Sequence, residues 1–120
     1  MQDRFKFRVW DTVGECYCPR SHYILLSDGT LIEEIGGEDV ICDSKNIEQC
    51  TGLKDKNGKL IYEGDIVKDD EGFVGLVKYD EVCAMFKIEF VYSISNFEDD
   101  MSWEFEVIGN IHENPKLLEE

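Results

Sequence analysis

Cys16 and Cys18, followed by His22, Cys42 and Cys50, carry the donor atoms in this sequence that could hold a soft metal. Zinc takes four nitrogen or sulfur ligands in a tetrahedron. The spacing argues against it. No pair is Cys-x-x-Cys, and an extended strand sends Cys16 and Cys18 to one face with no turn to wrap an ion. Reduced thiols are expected instead, several of them acting as small buried apolar groups. Nucleophilic catalysis needs a base beside the nucleophile. His22 and His112 are the two imidazoles available, and neither lies in a nucleophile motif. Gly58 and Gly64 invite a phosphate cradle, yet neither GxGxxG nor GxxxxGK(S/T) is present. Asp65, after Gly64, reads as a turn residue whose carboxylate caps local N–H groups. No catalytic residue, metal ligand or cofactor is assigned, and an enzyme is not expected.

Charge is the outlier. Twelve Lys and Arg against 27 Asp and Glu give a net −15, with a pI near 4.4. Between Arg20 and Lys45 there is no base, only Asp28, Glu33, Glu34, Glu38, Asp39 and Asp43; from Glu89 to Glu120 only Lys116 opposes nine acids. Such a field repels nucleic acid and anionic membranes, so neither is expected as a partner. Solubility is the simplest reason for the acids. The sharper reading is an array of carboxylates imitating duplex phosphates, which would need 28–43 and 89–106 on one continuous face.

The elements that must position these groups read as strands. At 120 residues, 42% of them hydrophobic, the chain fits one compact domain, built of two small lobes at about 1–50 and 51–120. No apolar run approaches a membrane span. Met1-Gln2-Asp3-Arg4 leads into alternation rather than an export signal, so a cytoplasmic location is expected. Phe5, Phe7 and Val9 alternate with Lys6, Arg8 and Trp10 as an opening strand. Cys16–Pro19 fits an edge or a strand end, since Pro19 cannot donate to a ladder. Residues 22–26 and 31–35, joined by Asp28-Gly29, read as a hairpin ended by Gly36-Gly37. Residues 38–50 are expected to be irregular, with one helical turn over 45–49 capped by Asp43 or Ser44.

The densest turn signals lie in TGLKDKNGKLIYEGDIV, residues 51–67. Thr51-Gly52 opens it, Asn57-Gly58 closes a hairpin, and Gly64-Asp65 breaks the chain before Ile66-Val67. Phe73, Gly75, Val77 and Tyr79 share one strand face. Ala84, Phe86, Ile88, Phe90 and Tyr92 share a second, and Trp103, Phe105, Val107, Gly109 and Ile111 a third, with Glu104 and Glu106 pointing away. Trp103, Phe86, Phe90 and Val107 are expected to face one another. Residues 93–102 read as the longest loop. Asn114 would cap a short helical turn from Pro115, with Leu117 and Leu118 packing back on the sheet.

Three blocks carry a resemblance: FKFRVWD at 5–11, TGLKDKNGKLIYEGDIV at 51–67, and VIGNIHENP at 107–115. In that order they resemble the YopX family, small proteins carried by phages and prophages of bacteria. Residues 15–49 are variable in that family, so nothing transfers there. Cys50 and His112 stand where aromatics are common, a minor departure. The resemblance implies a mainly β protein of a single domain with a small second lobe, no established activity and no catalytic residues to carry over. The positions that match are structural: Thr51, Gly52, Leu53, Asp55, Gly58, Ile61, Tyr62, Gly64, Asp65, Gly109, Asn110, Asn114 and Pro115.

The combined expectation is mainly β, with a small N-terminal β lobe, a C-terminal curled antiparallel sheet or SH3-like barrel over about 60–111, and little helix. The expected role is that of a non-enzymatic phage or prophage accessory protein acting by protein–protein contact. The alternative is an acidic DNA mimic that inhibits a host DNA-binding protein. The partner is an unidentified host or phage protein, and a homo-oligomer stays open.

Overall fold

Aspartate at strand ends decides where this chain reverses. The computed structural model describes residues 3–18, 23–42, 45–90, 94–96 and 104–119. In the loop from Asp55 to Lys59, Asp55 Oδ1 accepts the N–H groups of Asn57 and Lys59, both at 2.9 Å. The Asp55 N–H donates to the Lys59 carbonyl at 2.8 Å, and Gly58 N–H returns to the Asp55 carbonyl at 3.0 Å. Gly58 has φ +83°. The expected Asn57-Gly58 hairpin is therefore present, built as a turn followed by a left-handed glycine rather than as a two-residue loop. Asp69 repeats the device, its Oδ1 accepting from Glu71 and Phe73 at 2.9 and 2.8 Å. Asp11, Asp80 and Asn110 begin three further turns by accepting the N–H groups two and three residues on.

Between these turns the described chain is mainly β. It divides into two units, Arg8–Glu48 and the remainder, Met1–Phe7 with Gln49–Glu120. In the smaller unit β1 (Phe7–Asp11) pairs with β2 (Cys16–Tyr17), and β3 (Tyr23–Leu25), β4 (Leu31–Ile35) and β5 (Glu38–Ile41) form an antiparallel three-stranded sheet. The sequence expectation differs here. Residues 38–41 and 45–49 are strand, not irregular chain and a helical turn, because Gly36-Gly37 turns the chain straight into β5 instead of ending the sheet. Phe5 lies in a short 3-10 turn (Asp3–Phe5), 66% exposed, so the opening strand starts two residues later. Val9 and Trp10 are both buried, so β1 packs on both faces rather than one. Pro19, His22, Asp43 and Ser44 lie outside the described residues.

In the larger unit β6 (Lys45–Lys54, its first residues belonging to the smaller unit) pairs with β7 (Leu60–Tyr62). Thr51-Gly52 is no turn. It is a bulge inside β6, where the register against β7 shifts between Cys50 and Lys54. The second sheet has the order β11-β10-β9-β8-β12, from β8 (Asp65–Lys68), β9 (Val74–Asp80), β10 (Met85–Phe90), β11 (Ile94–Asn96) and β12 (Glu106–Asn110). All its pairings are antiparallel, and it is an open, curled half-barrel. β11 falls inside the stretch expected to be a loop.

The expected faces of β9 and β10 hold where burial decides them, whereas the third breaks in β12, whose register against β8 shifts between Val107 and Gly109. One row runs Phe90, Gly75, Val67, Val107 across four strands, beside the pair Ile88 and Val77. Ile61, Val67, Val77, Ile88 and Phe105 form the core, with Leu53, Phe86, Phe90 and Val107 packed against it. Gly75 is the slot in that row: a Cβ there would come within 2.5 Å of Ile88 Cγ2. Phe73 and Tyr79, at the ends of their face, are exposed, as is Ala84 in its turn. Trp103 and Tyr92 lie outside the described residues. Pro115–Leu118 is a 3-10 turn with Leu117 exposed and Leu118 half-buried. Asn114 does not cap it; its Oδ1 accepts the Asn110 N–H at 3.2 Å instead.

Gly58→Val has open space around the new side chain but must hold it at positive φ. It is expected to lower stability by about 1 kcal/mol or more, read as a lower urea midpoint. An unchanged midpoint would refute this account of the turn.

Candidate functional site

The family-motif positions converge in the larger unit. Thr51 Oγ1 donates to the Ile61 carbonyl at 2.8 Å and accepts the Leu53 N–H at 3.1 Å, which fixes the bulge around Gly52 against β7. Asp55 is buried, and besides its two loop bonds its Oδ2 accepts the Val107 N–H at 2.9 Å. Beside it the Lys56 N–H reaches the Phe105 carbonyl at 2.9 Å. Asp65 is buried, and its Oδ2 accepts the Tyr62 N–H at 2.8 Å, the capping role its place after Gly64 implied. Gly64 donates to the Val77 carbonyl and accepts from Ile111, both at 2.8 Å. Asn110 stands opposite Asp65 in the β8–β12 ladder. The Asn114 side chain lies over Gly109, where a Cβ would meet its Oδ1 at 2.6 Å. From the front block, the Lys6 carbonyl accepts the Cys50 N–H at 3.0 Å.

The side chains of this junction hold backbone. Its polar side chains face N–H and carbonyl groups of their own chain, and no buried side-chain nitrogen or oxygen among the described residues lacks a partner. A shallow hollow of about 170 Å³ in the same unit is lined by Lys78, Tyr79, Asp80, Lys87 and Glu89. That is below the size of ordinary small-molecule sites, and its charges pair with each other: Lys78 with Glu89 at 3.2 Å, Lys87 with Asp80 at 2.6 Å. The hydrogen bond from Lys87, then N–H groups of its own turn, holds the Asp80 carboxyl down at about 2.

The smaller unit has two polar clusters. Arg8 Nε donates to Glu48 Oε1 at 2.7 Å, and the Tyr17 hydroxyl donates to the same oxygen at 2.9 Å. The Arg8 guanidinium lies 4.5 Å from the Tyr17 ring centre, and Trp10 meets that ring edge-on at 4.9 Å. Nearby in sequence, Tyr23 donates to Glu33 Oε2 at 3.1 Å, and the Cys42 thiol approaches Glu33 Oε1 at 3.8 Å. Burial first, then hydrogen bonds to Cys18 and Glu33, pushes the Tyr23 phenol well above its ordinary value of 10.0. The cysteines weighed as zinc ligands differ in exposure. Cys16 is exposed on β2, Cys50 is buried in β6, and no three His, Cys, Asp or Glu side chains among the described residues are grouped to hold a metal.

Comparison with known proteins bears on this arrangement. The family described as YopX protein matches residues 6–119. The chain belongs to the YopX family. Protein EF1440 from Enterococcus faecalis, a solved structure, is similar at 31% identity and TM-score 0.65, over 95% of this chain and 97% of that one. YopX from Bacillus subtilis is similar in fold at 24% identity and TM-score 0.63, over 94% and 97%. No curated protein matches the chain. The YopX match spans the front, central and closing blocks, and the hydrogen bonds above tie those blocks together in the larger unit.

Sequence reasoning missed one surface. Ile24, Ile32 and Ile41 stand directly opposite one another across β3, β4 and β5. They share one face, with Ile24 51% and Ile41 65% exposed. Residues of β5 are exposed on both faces, so that strand shows no burial alternation to announce it. The usable signal was Gly36-Gly37, a pair suited to a two-residue hairpin. No described helix is long and apolar enough to cross a membrane.

Two outcomes follow. Asp55→Ala strips the acceptor from three N–H groups and is expected to cost at least about 2 kcal/mol. Asp55→Asn, which keeps one acceptor oxygen, should fall between; urea unfolding of both variants checks the order. Tyr23 gives a pH signature. Above pH ~10 the unfolded chain loses this proton while the folded chain keeps it, so stability present below that pH falls as pH rises further. Tyr23→Phe should flatten that fall relative to the parent between about pH 9 and pH 11, and identical slopes would exclude it.

Proposed function

We propose that this member of the YopX family is a non-enzymatic phage or prophage accessory protein that acts in the bacterial cytoplasm by protein–protein contact. The observation that carries this reading is the isoleucine row on β3–β4–β5, half-buried at Ile32 in the middle and exposed at Ile24 and Ile41 on either side. Aliphatic side chains lined up across a sheet and left in water are a feature of interaction surfaces. The motif junction supports the same reading from the other side, since its polar groups are engaged by the protein's own backbone.

The net charge of −15 supports a second reading, the acidic DNA mimic. The two separate in one titration. A contact centred on apolar side chains weakens little with salt, whereas a mimic relying on many exposed charge pairs should lose about a hundredfold in affinity between low and moderate salt. The tagged full chain, used to capture partners from a bacterial host, supplies the partner for that measurement. The expected result is a modest salt effect and loss of capture by Ile24→Ser with Ile41→Ser. A hundredfold loss would favour the mimic, and direct binding of duplex DNA would refute both.

A further inference from the structure

The isoleucine row does not stand alone on its face. Residues two apart along a strand point the same way, so Glu34 shares the face of Ile32, and Asp39 that of Ile41. Glu34 and Asp39 are also directly opposite each other in the β4–β5 ladder. Like charges so placed are unfavourable in the isolated sheet. From Tyr23 to Cys42 the chain carries Asp28, Glu33, Glu34, Glu38 and Asp39 and no Lys, Arg or His. The face is thus an aliphatic row with two facing carboxylates one residue pair further along, and its own strands contain no cation to neutralise them.

We propose that the β3–β4–β5 face docks a positively charged protein segment presenting aliphatic side chains, with Lys or Arg two positions from an aliphatic residue. An extended segment laid along the strands repeats its side-chain direction every second residue, about 7 Å apart. That step equals the separation of the Ile32 and Glu34 positions, so one aliphatic side chain meets the row while the base meets Glu34 and Asp39. Charge complementarity selects this occupant over a second copy of the chain. A copy would bring the same carboxylates and another −15 to the contact. This inference rests on the contact reading above and specifies the partner's chemistry.

The test uses the full chain and a short peptide with Ile and Lys alternating on one face, separated by Ser. Its control replaces each Lys by Glu. Amide chemical shifts are followed through each titration, with sedimentation of the protein alone. Expected are saturable shifts confined to β3–β5 with the Lys peptide and none with the Glu peptide. Affinity should fall about tenfold or more in Ile41→Ser and in Glu34→Lys, and stay unchanged in Val82→Ser, a 95% exposed site in the larger unit. Ile41 and Glu34 are exposed, so these variants should fold, and far-UV circular dichroism checks that. No saturable shift with the Lys peptide overturns the proposal. Equal binding of the Glu peptide overturns the basic partner while leaving the contact reading standing. Self-association abolished by Ile41→Ser overturns it in favour of a second copy. Failure of the contact reading itself would appear separately, as host capture indifferent to Ile24→Ser and Ile41→Ser.

Discussion

One buried carboxylate holds the larger unit in register. Asp55 accepts two N–H groups from its own loop and a third from Val107, 52 residues further along. The first two bonds shape the β6–β7 hairpin and the third aligns β12 with it. A single charged oxygen pair therefore fixes a local turn and a distant strand together. Charged acceptors make shorter and stronger bonds to backbone N–H groups than neutral ones. Removing water from around them leaves the carboxylate dependent on those partners. Asp65 does similar work on a smaller scale at the next turn.

The same bonding to backbone accounts for many of the residue types in the matched blocks. Gly58, Gly64 and Gly109 stand where the backbone turns or is closely approached. Thr51, Asp55, Asp65, Asn110 and Asn114 satisfy N–H or carbonyl groups that strands leave open. The exposed isoleucines Ile24 and Ile41 lie instead in the smaller unit.

Legibility in the sequence followed the range of the forces involved. The Asn57-Gly58 and Asp28-Gly29 turns were readable because turn chemistry is local. The faces of β9 and β10 were readable because one side of that sheet is buried and the other is wet, which enforces period two. β6 was not, because the bulge at Thr51-Gly52 shifts its register and erases the alternation. β5 was not, because neither of its faces is buried. The reach of Asp55 to Val107 left no local pattern at all. An aspartate two places before Asn-Gly announces the turn, but nothing in its neighbourhood announces the second partner.

The bulge has a chemical consequence at the residue beside it. Cys50 is fully enclosed, its sulfur approached at 3.4 Å by the Gly52 N–H, whereas Cys16 and Cys83 are in water. An alkylating reagent meets those two thiols in the closed molecule but reaches Cys50 only when β6 parts from its surroundings. The labelling rate of this sulfur, set against that of the open ones, therefore clocks the breathing of the larger unit. The protein carries its own reporter of transient opening, placed where the strand is kinked.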